Sequence, residues 1–152
     1  QTCALPISNQ YPPMPGVEPL RQALSAHAKR FYGLDYDWRY EIVVTSGGTE
    51  ALTGSIMAVV KPGDEVILFE PAYDSYRPII EAVGGIAKAI RLQAPDWTLS
   101  QQMLAEAFST RTKAIILNSP MNPAGKVFSD LELSMLADFV TRFDAIAICD
   151  EV

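Results

Sequence analysis

The chain has 152 residues, 49% hydrophobic and 20% charged, which permits one domain with a real core and matches ordinary globular composition. A formal charge of -6, a pI near 4.7 and basic residues scattered along the chain disfavour nucleic acid and anionic membranes as partners. No apolar run approaches the ~20 residues that cross a bilayer, and with His27 as the only histidine, histidine-based triads, proton relays and multi-histidine metal sites are nearly excluded.

Residues 1–8 lack the charged start and long apolar core of a secretory signal. They read as a sequencing adapter translated in frame, a non-native leader in which Cys3 carries no meaning, so the native reading starts at Asn9. Pro12, Pro13 and Pro15 keep the next segment out of a helix. From Val17 to Tyr32, Leu20, Ala23, Leu24, His27, Ala28 and Phe31 recur at helical spacing, with His27 expected on the helix surface and Gly33 placed to end the helix. Residues 41–44 read as a strand and residues 48–61 as a helix closed by the turn Lys61-Pro62-Gly63-Asp64.

The alternation continues with a strand over 65–69, a helix over about 73–83 ending at Gly84-Gly85, and a strand over 86–92. A helix over 99–108 has Ser100 as its cap, a strand follows over 114–117, and a helix over 129–143 is capped by Ser129. The last strand, 145–149, contains Cys149, read as an inert core thiol; two cysteines make no disulfide framework. Continuous apolar strands alternating with helices predict an α/β domain, a mainly parallel sheet covered on both faces.

In such sheets ligands bind beyond the carboxyl ends of the strands, where helix N-termini point. Gly47-Gly48-Thr49 follows the strand expected at 41–44 and opens the next helix. Two glycines let the backbone approach a ligand, free N–H groups and the helix dipole favour a phosphate, and the Thr49 hydroxyl can add a bond. The same residues also suit a plain turn with Thr49 as N-cap. They form neither a Gly-x-Gly-x-x-Gly fingerprint nor a Walker sequence, which argues against a dinucleotide or ATP.

Asp150 ends an apolar strand, where an unpaired carboxylate would cost several kcal/mol. A protonated pyridine nitrogen, a metal or a helix N-terminus would each serve as its partner. Asn122 sits between Pro120 and Pro123, held in a loop where either X-Pro bond can be cis, and the same residues also suit a plain turn. Tyr73 follows the strand over 65–69; its ring there can stack on a flat heterocycle, and taken alone it equally suits an ordinary core or surface position.

These motifs, taken in order, resemble class I/II aminotransferases of fold type I, closest to the kynurenine and methionine aminotransferase group. The resemblance runs over residues 9–152 through Asn9-Gln10-Tyr11, Leu20-Arg21, Thr45-Ser46-Gly47-Gly48-Thr49-Glu50-Ala51-Leu52, Pro62-Gly63-Asp64-Glu65-Val66, Glu70-Pro71-Ala72-Tyr73-Asp74-Ser75-Tyr76, Asn122-Pro123-Ala124-Gly125 and Asp150-Glu151-Val152. It implies part of a three-layer α/β/α large domain that binds pyridoxal 5'-phosphate. Gly48, Thr49 and Glu50 would hold the phosphate, Tyr73 would stack on the ring, Asn122 would bond the phenolic oxygen and Asp150 would pair with the ring nitrogen. Tyr11 would reach across a homodimer to the neighbouring phosphate.

The resemblance also implies amino-acid metabolism in the cytoplasm, with an amino acid and a 2-oxo acid as substrates. A carbon–sulfur β-lyase, or the cofactor-binding domain of a transcriptional regulator, would share these motifs. The family's Schiff-base lysine, the arginine for the substrate carboxylate and the tyrosine after Asp-Glu-Val fall beyond Val152. The expectation is therefore the N-terminal part of a large domain, truncated at both ends and inactive alone. Fold type I order further predicts missing strands between 41–44 and 114–117 and between 145–149 and 65–69, hence poor folding of the isolated chain.

Overall fold

The computed structural model describes residues 11–151. The leader read at 1–8, and Asn9 and Gln10 of the resemblance, lie outside the described residues. The chain divides into two compact units, one up to Gly47 and one from Gly48 onward.

The first unit is built on α1 (Glu18–Tyr32). Pro19 lies in the first turn, where its missing N–H costs nothing. Gly33 ends the helix with φ 70°, its N–H bonding the Lys29 carbonyl at 3.2 Å and the Leu34 N–H bonding that of Ala28 at 3.3 Å. Arg21 is buried and ties the unit together: Nε donates to the Gly16 carbonyl at 3.1 Å, and Nη1 donates to Trp38 and Arg39 carbonyls at 3.0 and 3.3 Å. His27 is exposed on the helix, its ring 4.6 Å from that of Phe31.

The strand expected at 41–44 does not form. The Val44 N–H bonds the Pro15 carbonyl at 2.9 Å instead, a single link to a loop that cannot extend into a ladder.

The second unit alternates α2 (Gly48–Val59), β1 (Glu65–Glu70), α3 (Tyr76–Ala82), β2 (Ile86–Arg91), α4 (Gln101–Ala107), β3 (Thr112–Asn118), α5 (Asp130–Arg142) and β4 (Ile146–Asp150). The strands form one parallel sheet in the order β2-β1-β3-β4. One face carries a core of Ile67, Phe69, Ile115, Leu104 and Phe139, under α4 and α5. The other carries Val66, Leu68, Ile116, Leu52, Ile56 and Ile80, under α2 and α3. Two cores on opposite faces of one sheet make three layers, each large side chain contributing roughly 1.5–3 kcal/mol by leaving water.

Local chemistry sets the helix ends. Ser100 caps α4 by accepting from the Met103 N–H at 3.3 Å. Ser129 and Glu132 form a reciprocal capping box at the start of α5. α3 starts at Tyr76 rather than Tyr73, because residues 73–75 turn before the helix; Pro78 then falls in its first turn, where proline is tolerated.

Two expectations about the sheet are corrected. β4 reaches β1 through β3, which is present, so no interior strand is missing between them. The expectation of poor folding keeps only the residues at 41–44 and the outer edge of β4 as its grounds. β4 is also not a buried strand: it lies at the edge, with Ile146, Ala147 and Cys149 exposed. Cys149 is therefore not a core thiol, although partial burial, with Glu151 nearby, raises its pKa and keeps it protonated.

Candidate functional site

The carboxyl ends of β1, β3 and β4 lie side by side, with Asn118 in register with Asp150. Gly48, Thr49, Leu52, Tyr73, Asn122 and Asp150 line one cavity of about 250 Å³ at this edge. The six residues arrive from four places in the chain: Gly48, Thr49 and Leu52 from α2, Tyr73 from the turn after β1, Asn122 from the loop after β3, and Asp150 from the end of β4. Parallel strands with helical crossovers gather such distant residues at a single rim.

The α2 mouth is open. An added Cβ at Gly48 would meet no atom within 4 Å, so ligand atoms have space beside the backbone N–H groups of Gly48 and Thr49 at the start of the helix. α2 begins at Gly48, which places Thr49 inside the first turn rather than at the cap. Glu50 is exposed in the same turn and does not line the cavity. Tyr11 is fully exposed in the first unit.

The loop after β3 is held from within the strand. Buried Asn118 accepts the Asn122 N–H on Oδ1 at 2.6 Å and donates from Nδ2 to the Asp150 carbonyl at 2.9 Å. The Ser119 N–H reaches the same carbonyl at 3.2 Å. Asn118 thus locks the two polar corners of the cavity to one another. Ser119-Pro120 and Asn122-Pro123 are both cis.

The carboxylate of Asp150 does have a partner inside the chain. It is none of the three weighed from the sequence: the Tyr76 hydroxyl donates to Asp150 Oδ2. Tyr76 is buried in the core under α2 and α3, and its ring meets that of Tyr73 edge-on at 5.7 Å. Burial, reinforced by the bond to Asp150, pushes its phenol pKa upward, so the phenol stays a donor. Sequence reading passed over Tyr76 and Asn118. The signal for Tyr76 was a tyrosine at helical spacing from Ile79 and Ile80, on an apolar face where its hydroxyl must find a partner; for Asn118 it was a polar residue closing an apolar strand.

The site therefore offers, around one cavity, a helix mouth suited to an anion, an acid, an aromatic ring and an amide. This is an α/β protein whose ligand end is the carboxyl rim of its sheet. The family described as aminotransferase class I and II matches residues 4–152. The chain is 43% identical over 147 residues to "Probable N-succinyldiaminopimelate aminotransferase DapC" of Mycobacterium tuberculosis, covering 95% of this chain and 37% of that relative. It is 43% identical over 145 residues to the methionine aminotransferase of Escherichia coli, with 95% and 38% covered. Among solved structures, YbdL of Escherichia coli, described as having a methionine aminotransferase function, superposes with a TM-score of 0.90 at 42% identity over 93% of this chain and 38% of that one. The chain belongs to the class I and II aminotransferases, and its fold is fold type I. It spans a little over a third of the length of these relatives.

Proposed function

We propose that residues 9–152 form the N-terminal part of the pyridoxal-phosphate-binding large domain of an aminotransferase, which moves an amino group from an amino acid to a 2-oxo acid. The observation that carries this is the single cavity joining the α2 mouth, Tyr73, Asn122 and Asp150. The donor set fits the cofactor. The open N–H groups of Gly48 and Thr49 suit a phosphate, Tyr73 suits the face of a pyridine ring, and Asp150 suits a protonated ring nitrogen.

Bound there, the cofactor supplies an electron sink for negative charge at the α-carbon of an amino acid. Asp150 keeps the proton on the ring nitrogen, and the Asn122 amide bonds the phenolic oxygen. Tyr73 covers one ring face and excludes water from it. In a cytoplasmic homodimer, Tyr11 would serve the phosphate of the neighbouring subunit. The relatives named above are transaminases, which favours amino transfer over carbon–sulfur lysis or a regulator.

The test is a chimaera in which residues 9–152 replace the matching segment of the Escherichia coli methionine aminotransferase. It should form 2-oxo acid from an amino acid donor, and Asp150→Ala should lower turnover by about 10²–10³-fold, the range for loss of one preorganised electrostatic group. A folded chimaera that binds the cofactor and is indifferent to Asp150→Ala would refute the reading.

A further inference from the structure

Tyr76 is the buried residue whose chemistry the proposed function leaves unused. It packs beside Leu52, Ile56, Ile80 and Ile116, where phenylalanine would fill the same apolar space. A hydroxyl in such surroundings is costly unless it is bonded. Its bond runs across 74 residues of sequence to Asp150, the acid at the cavity. Among the described residues no donor reaches the other oxygen, Oδ1, and Asp150 itself lines the cavity. The same Tyr76 ring abuts Tyr73, the aromatic wall.

Resting on the cofactor reading above, we infer that Tyr76 is the positioning residue of the site: its hydroxyl tethers Oδ2 of Asp150, so that Oδ1 faces the ring nitrogen, while its ring sets the edge of Tyr73. The physical reason is rotameric. Asp150 stands on an edge strand and is only half-buried, so packing alone leaves its carboxylate free to turn. A hydrogen bond to a charged group is strong enough to select one orientation. Tyr76 remains a donor because its phenol is buried, so the tether persists across the range in which a pyridinium would bind. Tyr76 itself need not touch the ligand.

The test measures binding of 4-deoxypyridoxine 5'-phosphate by equilibrium dialysis to the folded chimaera described above, cleared of resident cofactor, in which the unsubstituted residues 9–152 serve as the wild-type chain. This ligand has no aldehyde, so it cannot react with surface lysines. A counterpart with CH in place of the ring nitrogen is measured beside it. The wild-type chain should prefer the nitrogen-containing ligand. Tyr76→Phe should weaken that ligand by about tenfold or more, the usual weight of a hydrogen bond to a charge, and leave the carbocyclic one unchanged. Tyr76→Phe combined with Asp150→Asn should be no worse than Asp150→Asn alone.

If Tyr76→Phe weakens both ligands equally, its role is structural and the inference falls. It falls too if the preference for nitrogen survives the substitution undiminished. A wild-type chain with no preference for the ring nitrogen overturns the cofactor reading itself, and the inference with it.

Discussion

The carboxylate of Glu132 is buried and accepts from the Leu99 N–H at 2.8 Å, from Lys126 Nζ at 2.9 and 3.0 Å, and from the Ser129 N–H and hydroxyl at 2.9 and 3.0 Å. Burial alone would raise its pKa, but the bonds from Lys126, Leu99 and Ser129 together outweigh burial and hold it at about 2, against 4.5 for the free group. A depressed carboxylate stabilises the fold above its unfolded value and loses that contribution as protons bind. The contribution, about 3 kcal/mol at ~1.4 kcal/mol per unit, should be complete above pH 4.5 and vanish as pH falls toward 2. Urea unfolding of the wild type across that window should show the slope, and Glu132→Gln should flatten it. At pH 7, Glu132→Ala should cost about 3–5 kcal/mol, because it leaves the Lys126 ammonium, 8% exposed, without its counter-charge. A loss under about 1 kcal/mol would mean that water replaces the carboxylate. The Ser129-x-x-Glu132 box was legible in the sequence as a helix start; the burial of Glu132, and its bonds to Leu99 and Lys126, were not, because they depend on what the helix packs against.

At the scale of the element, Gly85 marks a close approach. A Cβ there would stand 2.9 Å from Val60 Cγ1 and 3.0 Å from the Ile80 carbonyl oxygen, both packed against the start of β2. Gly85→Ala should therefore cost about 1–3 kcal/mol by overpacking, seen as a lower thermal midpoint. An unchanged midpoint would show that α3 shifts to make room. β4 presents a different hazard. It pairs with β3 on one side, and its exposed Ile146 and Ala147 accompany an edge that has no partner strand among the described residues. The chain should associate through that edge, and Ala147→Lys should reduce the association in light scattering. Equal scattering by both would place the contact elsewhere. Helix and strand order was readable because apolar period, caps and Gly/Pro stops are local. Two features escaped that reading. The segment at 41–44 has the composition of a strand but no ladder partner, and β4 has a core-like sequence at an edge.

At the scale of the whole molecule, stability should be uneven. β1 and β3 are the inner strands, buried on both faces, whereas Arg21 is the one buried residue of α1. Native-state hydrogen exchange should find the slowest amides in β1 and β3 and the fastest helical ones in α1. Uniform protection across both units would contradict this division.

From Gly48 onward, the order of the elements, the parallel α/β class and the cavity-lining residues Gly48, Thr49, Tyr73, Asn122 and Asp150 could be named from the sequence, because periodicity and turn residues are properties of neighbours along the chain and the ordered motifs resemble a known family. Which strand lies at the edge, and which hydroxyl reaches Asp150 across 74 residues, was decided only when the sheet assembled. Those facts depend on the order of strands in space, and a parallel sheet sets that order through crossovers that no short stretch of sequence records.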